Sequence, residues 1–348
     1  MYSRREFATM MLAGLPGSMA LAKLNSQVNS QVTSKFRGVQ IGAITYSFRS
    51  MPATEIIAAM VKIGLSEAEL MSNHCEALAG APQAAGFGGP GRGPGGQGGQ
   101  GVSRQGAPGA GGQPEGQRGG GRPQLTPEQQ EAQRQQQEAL RKWRMATSPD
   151  TFKAVKKKFN DAGIDLRILC FNQRMTATDD EIEYAFQMAK ALGVKAISSS
   201  STVSFAKRVA PFADKHKMWW GAHGHSNIND PEEFATPQSF ETIMSFSKYI
   251  GVNLDIGHFT AANFDAVSYV KEHHARITNL HLKDRKKNQG PNVPWGQGET
   301  PIKEVLQLMA KEKYAFPANI EFEYQVPEGS DLLTEMSKCL NYCKNTLA

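Results

Sequence analysis

The chain reads as an α/β protein of the (β/α)8-barrel class, and three observations predict that. Short apolar runs alternate with amphipathic stretches from residue 38 to the C-terminus. Glycine closes several amphipathic stretches just before the next apolar run, at Gly64, Gly163, Gly193 and Gly251, as a left-handed helix terminator does. The alternation yields eight apolar runs, which favours a closed parallel sheet; 348 residues exceed the roughly 250 that such a barrel needs.

The first strand is expected over 38–48, with its helix over 53–63, and the second strand over 68–71. A helix over 149–162 precedes the third strand, 166–171, and a helix over 179–192 precedes the fourth, 196–199. A helix over 205–216 leads to the fifth strand, 218–222, and one over 237–250 to the sixth, 252–256. A helix over 264–275 leads to the seventh strand, 277–282, and one over 302–313 to the eighth, 318–324. A last helix, 332–345, closes the single domain, expected over 37–348.

Two segments stand outside this rhythm. Residues 1–22 carry Arg4-Arg5 before a short, weakly apolar stretch that ends Ala20-Leu21-Ala22. That is the layout of a cleavable export signal, and the paired arginines followed by Glu6-Phe7 resemble the twin-arginine type. The stretch is too short and too interrupted for a stable membrane span, so a periplasmic or otherwise exported chain is expected, with a polar linker over 23–36. The second segment, 81–147, is inserted after the second strand. Its Gly/Pro/Gln-rich part, 81–124, has too little apolar surface to offset its ordering entropy, and 125–147 reads as a solvated helix. In a barrel that insertion point lies on the C-terminal rim, where an inert excursion is expected rather than a flap.

Composition excludes several classes. The net charge of +6, or +5 without Arg4, Arg5 and Glu6, is scattered and forms no aromatic-interleaved basic stripe, which argues against nucleic-acid binding. Cys75, Cys170, Cys339 and Cys343 form no CxxC pair and read as buried thiols rather than a disulfide framework.

The chemistry-bearing residues cluster at the ends of the last four strands. The fifth leads into His223-Gly224-His225, the sixth holds Asp255 followed by His258, the seventh holds His281-Leu282-Lys283-Asp284, and the eighth Glu321-Phe322-Glu323. Neighbouring strand ends converge on one pocket in a barrel, and alternation puts His223 with His225, and Glu321 with Glu323, on common faces. Mixed imidazole and carboxylate donors suit Mn, Co, Zn, Fe or Mg and make an all-oxygen calcium site unlikely. A divalent metal ion held by His223, Asp255, His281 and Glu321 is therefore expected.

These motifs resemble the xylose isomerase-like barrels, the sugar phosphate isomerase/epimerase family. The resemblance runs from about residue 38 to 347 outside the insert and rests on Leu254-Asp255-Ile256-Gly257-His258, His281-Leu282-Lys283-Asp284 and Ile320-Glu321-Phe322-Glu323. Trp295-Gly296-Gln297-Gly298 resembles the family's Gly-x-Gly loop. By that resemblance Asp255, His281 and Glu321 are metal ligands and His258 a nearby contact. Glu69 lines the substrate pocket, with Asn172, Lys283 and Arg285 also placed against substrate.

The activity implied is proton abstraction next to a carbonyl through an enediolate. Glu321 or Glu323 would serve as base, and His225 or His258 would shuttle a second proton. The chain departs from the family in having His223 where many epimerases have a glutamate. That leaves open isomerisation, or lyase or hydratase chemistry on a 3-keto-glycoside, since these need one strong base. Expected partners are a small non-phosphorylated sugar and no nucleic acid, with a homo-oligomer possible. A sugar-binding barrel without catalysis is the contrasting class.

Overall fold

The computed structural model describes residues 33–48, 51–82 and 126–348. The expected signal, 1–22, most of the linker, and 83–125 of the insert lie outside the described residues. The eight expected strands pair parallel and in sequence order, and the last pairs with the first, so the sheet closes into a (β/α)8 TIM barrel. In chain order they are β2 (Val39–Ile44), β3 (Glu67–Met71), β4 (Asp165–Cys170), β5 (Ala196–Ser199), β6 (Trp219–His223), β7 (Ile250–Asp255), β8 (Ile277–Leu282) and β9 (Ala318–Ile320).

One unexpected strand precedes them. Within the expected linker, β1 (Lys35–Phe36) pairs antiparallel with β2. The two-residue turn between them has Arg37 at φ 45° and Gly38 at φ 88°, the doubly left-handed turn that suits a tight hairpin.

Most strand boundaries shift by one or two residues from expectation, and three strand ends have a clear local reason. The first strand stops at Ile44, where a 3-10 turn over Thr45–Phe48 begins. The eighth stops at Ile320 rather than 324 because the Ser47 hydroxyl takes over its pairing groups: it donates to Ile320 O at 3.1 Å and accepts from Phe322 N at 3.0 Å. The sixth stops at Asp255, whose carboxylate caps the short helix α8 (Ile256–Ala261) by accepting from His258 N at 2.8 Å.

The outer helices are α1 (Ala53–Ile63), α2 (Ser72–Leu78), α3 (Pro127–Ala146), α4 (Asp150–Asp161), α5 (Asp179–Leu192) and α6 (Val203–His216). They continue as α7 (Pro237–Met244), α9 (Ala266–His273), α10 (Ile302–Glu312) and α11 (Leu332–Thr346). The large apolar core lies between this ring and the outward strand face, with Ile41, Leu70, Leu254, Leu280, Phe186, Phe205 and Trp220 fully enclosed. Each such side chain contributes roughly 1.5–3 kcal/mol by leaving water. The insert's described end is the solvated helix expected: α3 has no buried residue and is anchored by Arg144, which forks onto Glu76 at 2.7 and 3.0 Å.

The barrel interior is polar rather than apolar. Glu67, Glu69, Asn253, Asn279, Asn319 and Ser198 are all fully buried there. Asn319 donates to Glu67 at 2.6 Å, and burial pushes the Glu67 carboxyl well above its usual range. Gly42 makes room for it: a Cβ there would lie 1.6 Å from Glu67 Oε2.

Candidate active site

Alternation along the strands sets a two-level site. Asn253, Asn279 and Asn319 each stand two residues before Asp255, His281 and Glu321, so each asparagine faces inward one pleat below a chemistry-bearing side chain. One donor atom from each of His223, Asp255, His281 and Glu321 lies within 4.8 Å of the others, and all four residues are buried. The four residues expected to meet at the mouth therefore do meet there.

His281 is gripped from both sides. Its Nε2 lies 2.6 Å from Glu69 Oε2 and its Nδ1 3.1 Å from Glu321 Oε2. Burial alone would lower this imidazole's pKa; Glu69 and Glu321 outweigh it and hold the group well above its usual range. Glu69 is fixed in turn. It accepts from Asn279 at 2.8 Å, from Asn253 at 3.4 Å, and from the Ser198 hydroxyl. Glu69 was expected against substrate, and the structure corrects that. It is fully enclosed beneath His281, one pleat below the mouth; its Oε2 meets the ring, and its Oε1 accepts from Ser198 and Asn253.

Lys283, also expected beside substrate, is 2% exposed and ion-paired. Its ammonium lies 2.8 Å from Asp255 Oδ2, 2.7 Å from Glu321 Oε2 and 2.7 Å from Glu323 Oε2. Burial opposes its charge, but the three carboxylates raise its pKa above the usual value. Helix α8 can lie over it only because residue 257 is glycine, whose Cβ would sit 2.3 Å from Lys283 Cγ. Burial pushes the Asp255 carboxyl up to about 7 against the pull of Lys283. Burial would raise Glu321 too, but Lys283 and His281 hold it well below its usual range.

The remaining expected residues ring this cluster. His258 is buried, and its Nδ1 accepts from Arg285 Nη1 at 2.6 Å. Arginine has no acceptor, so the other nitrogen of neutral His258 carries the hydrogen, 3.8 Å from Asp255 Oδ2. Arg285 spends its other donors on Gly290 O and the Ser226 hydroxyl. Asn172 lies half-buried after β4 and accepts from Ser200 N at 2.7 Å. His225 and Glu323 are the partly open groups, with side chains 18% and 17% exposed. Burial lowers His225 to about 4, so its imidazole is neutral at pH 7. Two residues unnoticed in the sequence hold it: the Ser200 hydroxyl at 3.2 Å from Nε2 and Glu233 at 3.6 Å from Nδ1. No local motif marks either, because both reach His225 only through the fold.

The family model for xylose isomerase-like TIM barrels matches residues 131–342, more than half of the chain. The chain belongs to the xylose isomerase-like TIM barrel family. Solved structures agree on the fold. The probable 3-DHS dehydratase AsbF from Bacillus anthracis, involved in petrobactin synthesis, superposes with a TM-score of 0.54 at 14% identity, over 87% of this chain and 99% of that one. A xylose isomerase domain protein from Alicyclobacillus acidocaldarius gives 0.54 at 11% identity, covering 88% and 99%. A sugar phosphate isomerase/epimerase from Parabacteroides distasonis gives 0.51 at 16% identity, covering 88% and 93%. No curated protein matches the sequence. Among the described residues no helix is long and apolar enough to cross a membrane.

Proposed function

We propose that the chain is a divalent-cation-dependent isomerase or epimerase that moves a proton next to a carbonyl in a non-phosphorylated sugar or keto-sugar. The observation that carries this reading is the four-donor cluster of His223, Asp255, His281 and Glu321 within 4.8 Å. The residues fit a cation on two further counts. His223 Nδ1 is buried with no hydrogen-bond partner. Asp255, Glu321 and Glu323 also outnumber the single ammonium of Lys283 among them. Bound there, the cation would supply Lewis-acid stabilisation of charge developing on substrate oxygens.

The chain's own residues would do the rest. Glu69 holds His281 by Nε2 and so presents Nδ1 to the cluster, the second-sphere arrangement that orients a ligating imidazole. His225 and Glu323, one neutral imidazole and one carboxylate at the open side, are the proton carriers. His258, held by Arg285, can give a hydrogen bond but cannot accept a proton without breaking that contact. The twin-arginine-like residues 1–22 favour an exported location, where free sugars outnumber phosphorylated ones. A second reading, lyase or hydratase chemistry on a 3-keto-glycoside, is favoured by that unlike pair, since elimination uses one base and one acid.

The test is elemental analysis of the purified chain, then deuterium uptake from heavy water into aldoses, ketoses and 3-keto-glycosides. Stoichiometric Mn, Co, Zn, Fe or Mg with carbon-bound deuterium supports the isomerase. Loss of water or of an aglycone without exchange supports the lyase. Sugar binding with neither metal nor turnover leaves a binding barrel and overturns both.

A further inference from the structure

Three segments that follow the strands carrying His223, Asp255 and His281 meet around a cleft of about 380 Å³, one bonded layer of Ser226 and Arg285 away from His258. Asn227, Ile228 and Asn229 come from the loop after β6, Ala262 and Asn263 from the segment after α8, and Gln289 from the loop after β8. Four of these six side chains are carboxamides and none bears a charge. Ile228, 51% exposed, adds an aliphatic face.

The walls are held in an uncommon conformation. Asn263, Asn288 and Gln289 have φ of 67°, 56° and 58°, in the left-handed region that side-chain-bearing residues seldom occupy. Paired amides keep them there: Asn263 Nδ2 donates to Asn288 Oδ1, and Asn288 N donates to Asn263 Oδ1, each at 3.1 Å. Gln289 N donates to Ala261 O at 2.8 Å, and its amide to Ser226 O. The Ser226 hydroxyl accepts from Arg285, which also donates to His258, so the cleft wall and the site wall are one bonded unit.

Asn263 and the Gln289 Nε2 are spent on the wall, and Asn227 Oδ1 accepts from Asn229 N. That leaves the Asn229 amide, Asn227 Nδ2 and Gln289 Oε1 to a ligand. An amide pairs donor and acceptor on one flat group, and the aliphatic wall beside it suits the C–H face of a sugar ring. A phosphate would instead call for Lys, Arg or a helix N-terminus. We propose that this cleft is an outer subsite for a second, neutral, hydroxyl-rich unit of the substrate, so that the enzyme acts on a glycoside of disaccharide size. This inference rests on the catalytic reading above for the reaction, but not for the binding.

The test compares wild type with Asn229→Ala, which removes an exposed amide, and Asn229→Trp, which fills the cleft. Substrates are a 3-keto-disaccharide and the matching 3-keto-monosaccharide, with calorimetric binding of the unoxidised disaccharide as a readout independent of turnover. Wild type should prefer the disaccharide in kcat/KM by roughly tenfold or more, the scale of a few well-placed polar contacts. Asn229→Trp should abolish that preference while leaving the monosaccharide rate unchanged, and Asn229→Ala should reduce it. Turnover with equal preference in all three proteins overturns the subsite and spares the catalytic reading. Absence of turnover, with disaccharide binding that Asn229→Trp removes, overturns the catalytic reading and keeps the subsite.

Discussion

His281, buried, and His74, half-buried, sit on opposite halves of the barrel mouth, and the fold shifts their pKa values in opposite directions. His74, on helix α2 after β3, has the Thr45 hydroxyl at 3.0 Å from its Nδ1, and burial lowers its pKa to about 4. His281, on β8, has a carboxylate at each nitrogen and is raised well above its usual value. Burial acts the same way on both; the partner decides the outcome. The contrast extends to the two half-barrels. Strands β6 to β9 bring imidazoles, carboxylates and Lys283 to the mouth, while β2 to β5 bring Glu69, Asn172, Ser198 and Ser200, which hold other residues in place. The Glu69–His281 contact crosses the barrel and joins the two.

The strongest test of that division is His281→Ala. It should abolish stoichiometric cation binding and cut turnover by roughly 10³-fold, the scale of several kcal/mol of lost charge stabilisation. Elemental analysis and kinetics on the same sample would show it; full metal content in the variant would remove His281 from the ligand set. Glu69→Gln is next. It keeps the shape but weakens the grip on Nε2, and cation affinity should fall about 10–100-fold with little change in secondary structure. Unchanged affinity in a competition titration would mean that the supporting half does not orient the ligand half.

The smallest effect concerns His74. Its folded pKa of about 4 lies below the ordinary 6.5, so on acidification the unfolded chain takes up this proton first. The contribution to stability is complete above about 6.5 and is lost progressively as pH falls from there towards 4. Thermal melts between pH 7 and pH 4.5 should show a shallower acid loss in His74→Gln than in wild type. Identical slopes would show that His74 is not held neutral in the fold.

Much of the fold was legible because its signals are local. Helix-closing glycines at 64, 163 and 193 do take the left-handed conformation in the structure, with φ of 98°, 75° and 63°. Other signals misled. The run at 318–324 looks like one long strand, yet Ser47, from a segment some 270 residues earlier, ends it at Ile320. Lys283 and Arg285 carry the charge expected of substrate contacts, and nothing beside them in the chain announces the carboxylates or the imidazole that occupy them. The asparagines at 253, 279 and 319 were visible two residues before each site residue, a period-two pattern that the polar interior makes meaningful.

What the sequence by itself determined is the order of strands and helices, the closing of the barrel by their number, and the placing of His223, Asp255, His281 and Glu321 at one rim. These depend on spacing along the chain, which strand alternation and helix termination translate directly into position. Only the tertiary structure decided which of those side chains face each other, that Glu69 lies under His281, and that Lys283 is enclosed by three carboxylates. Those partners come from strands far apart in the chain, and their distances are set by the tilt and stagger with which the sheet closes on itself.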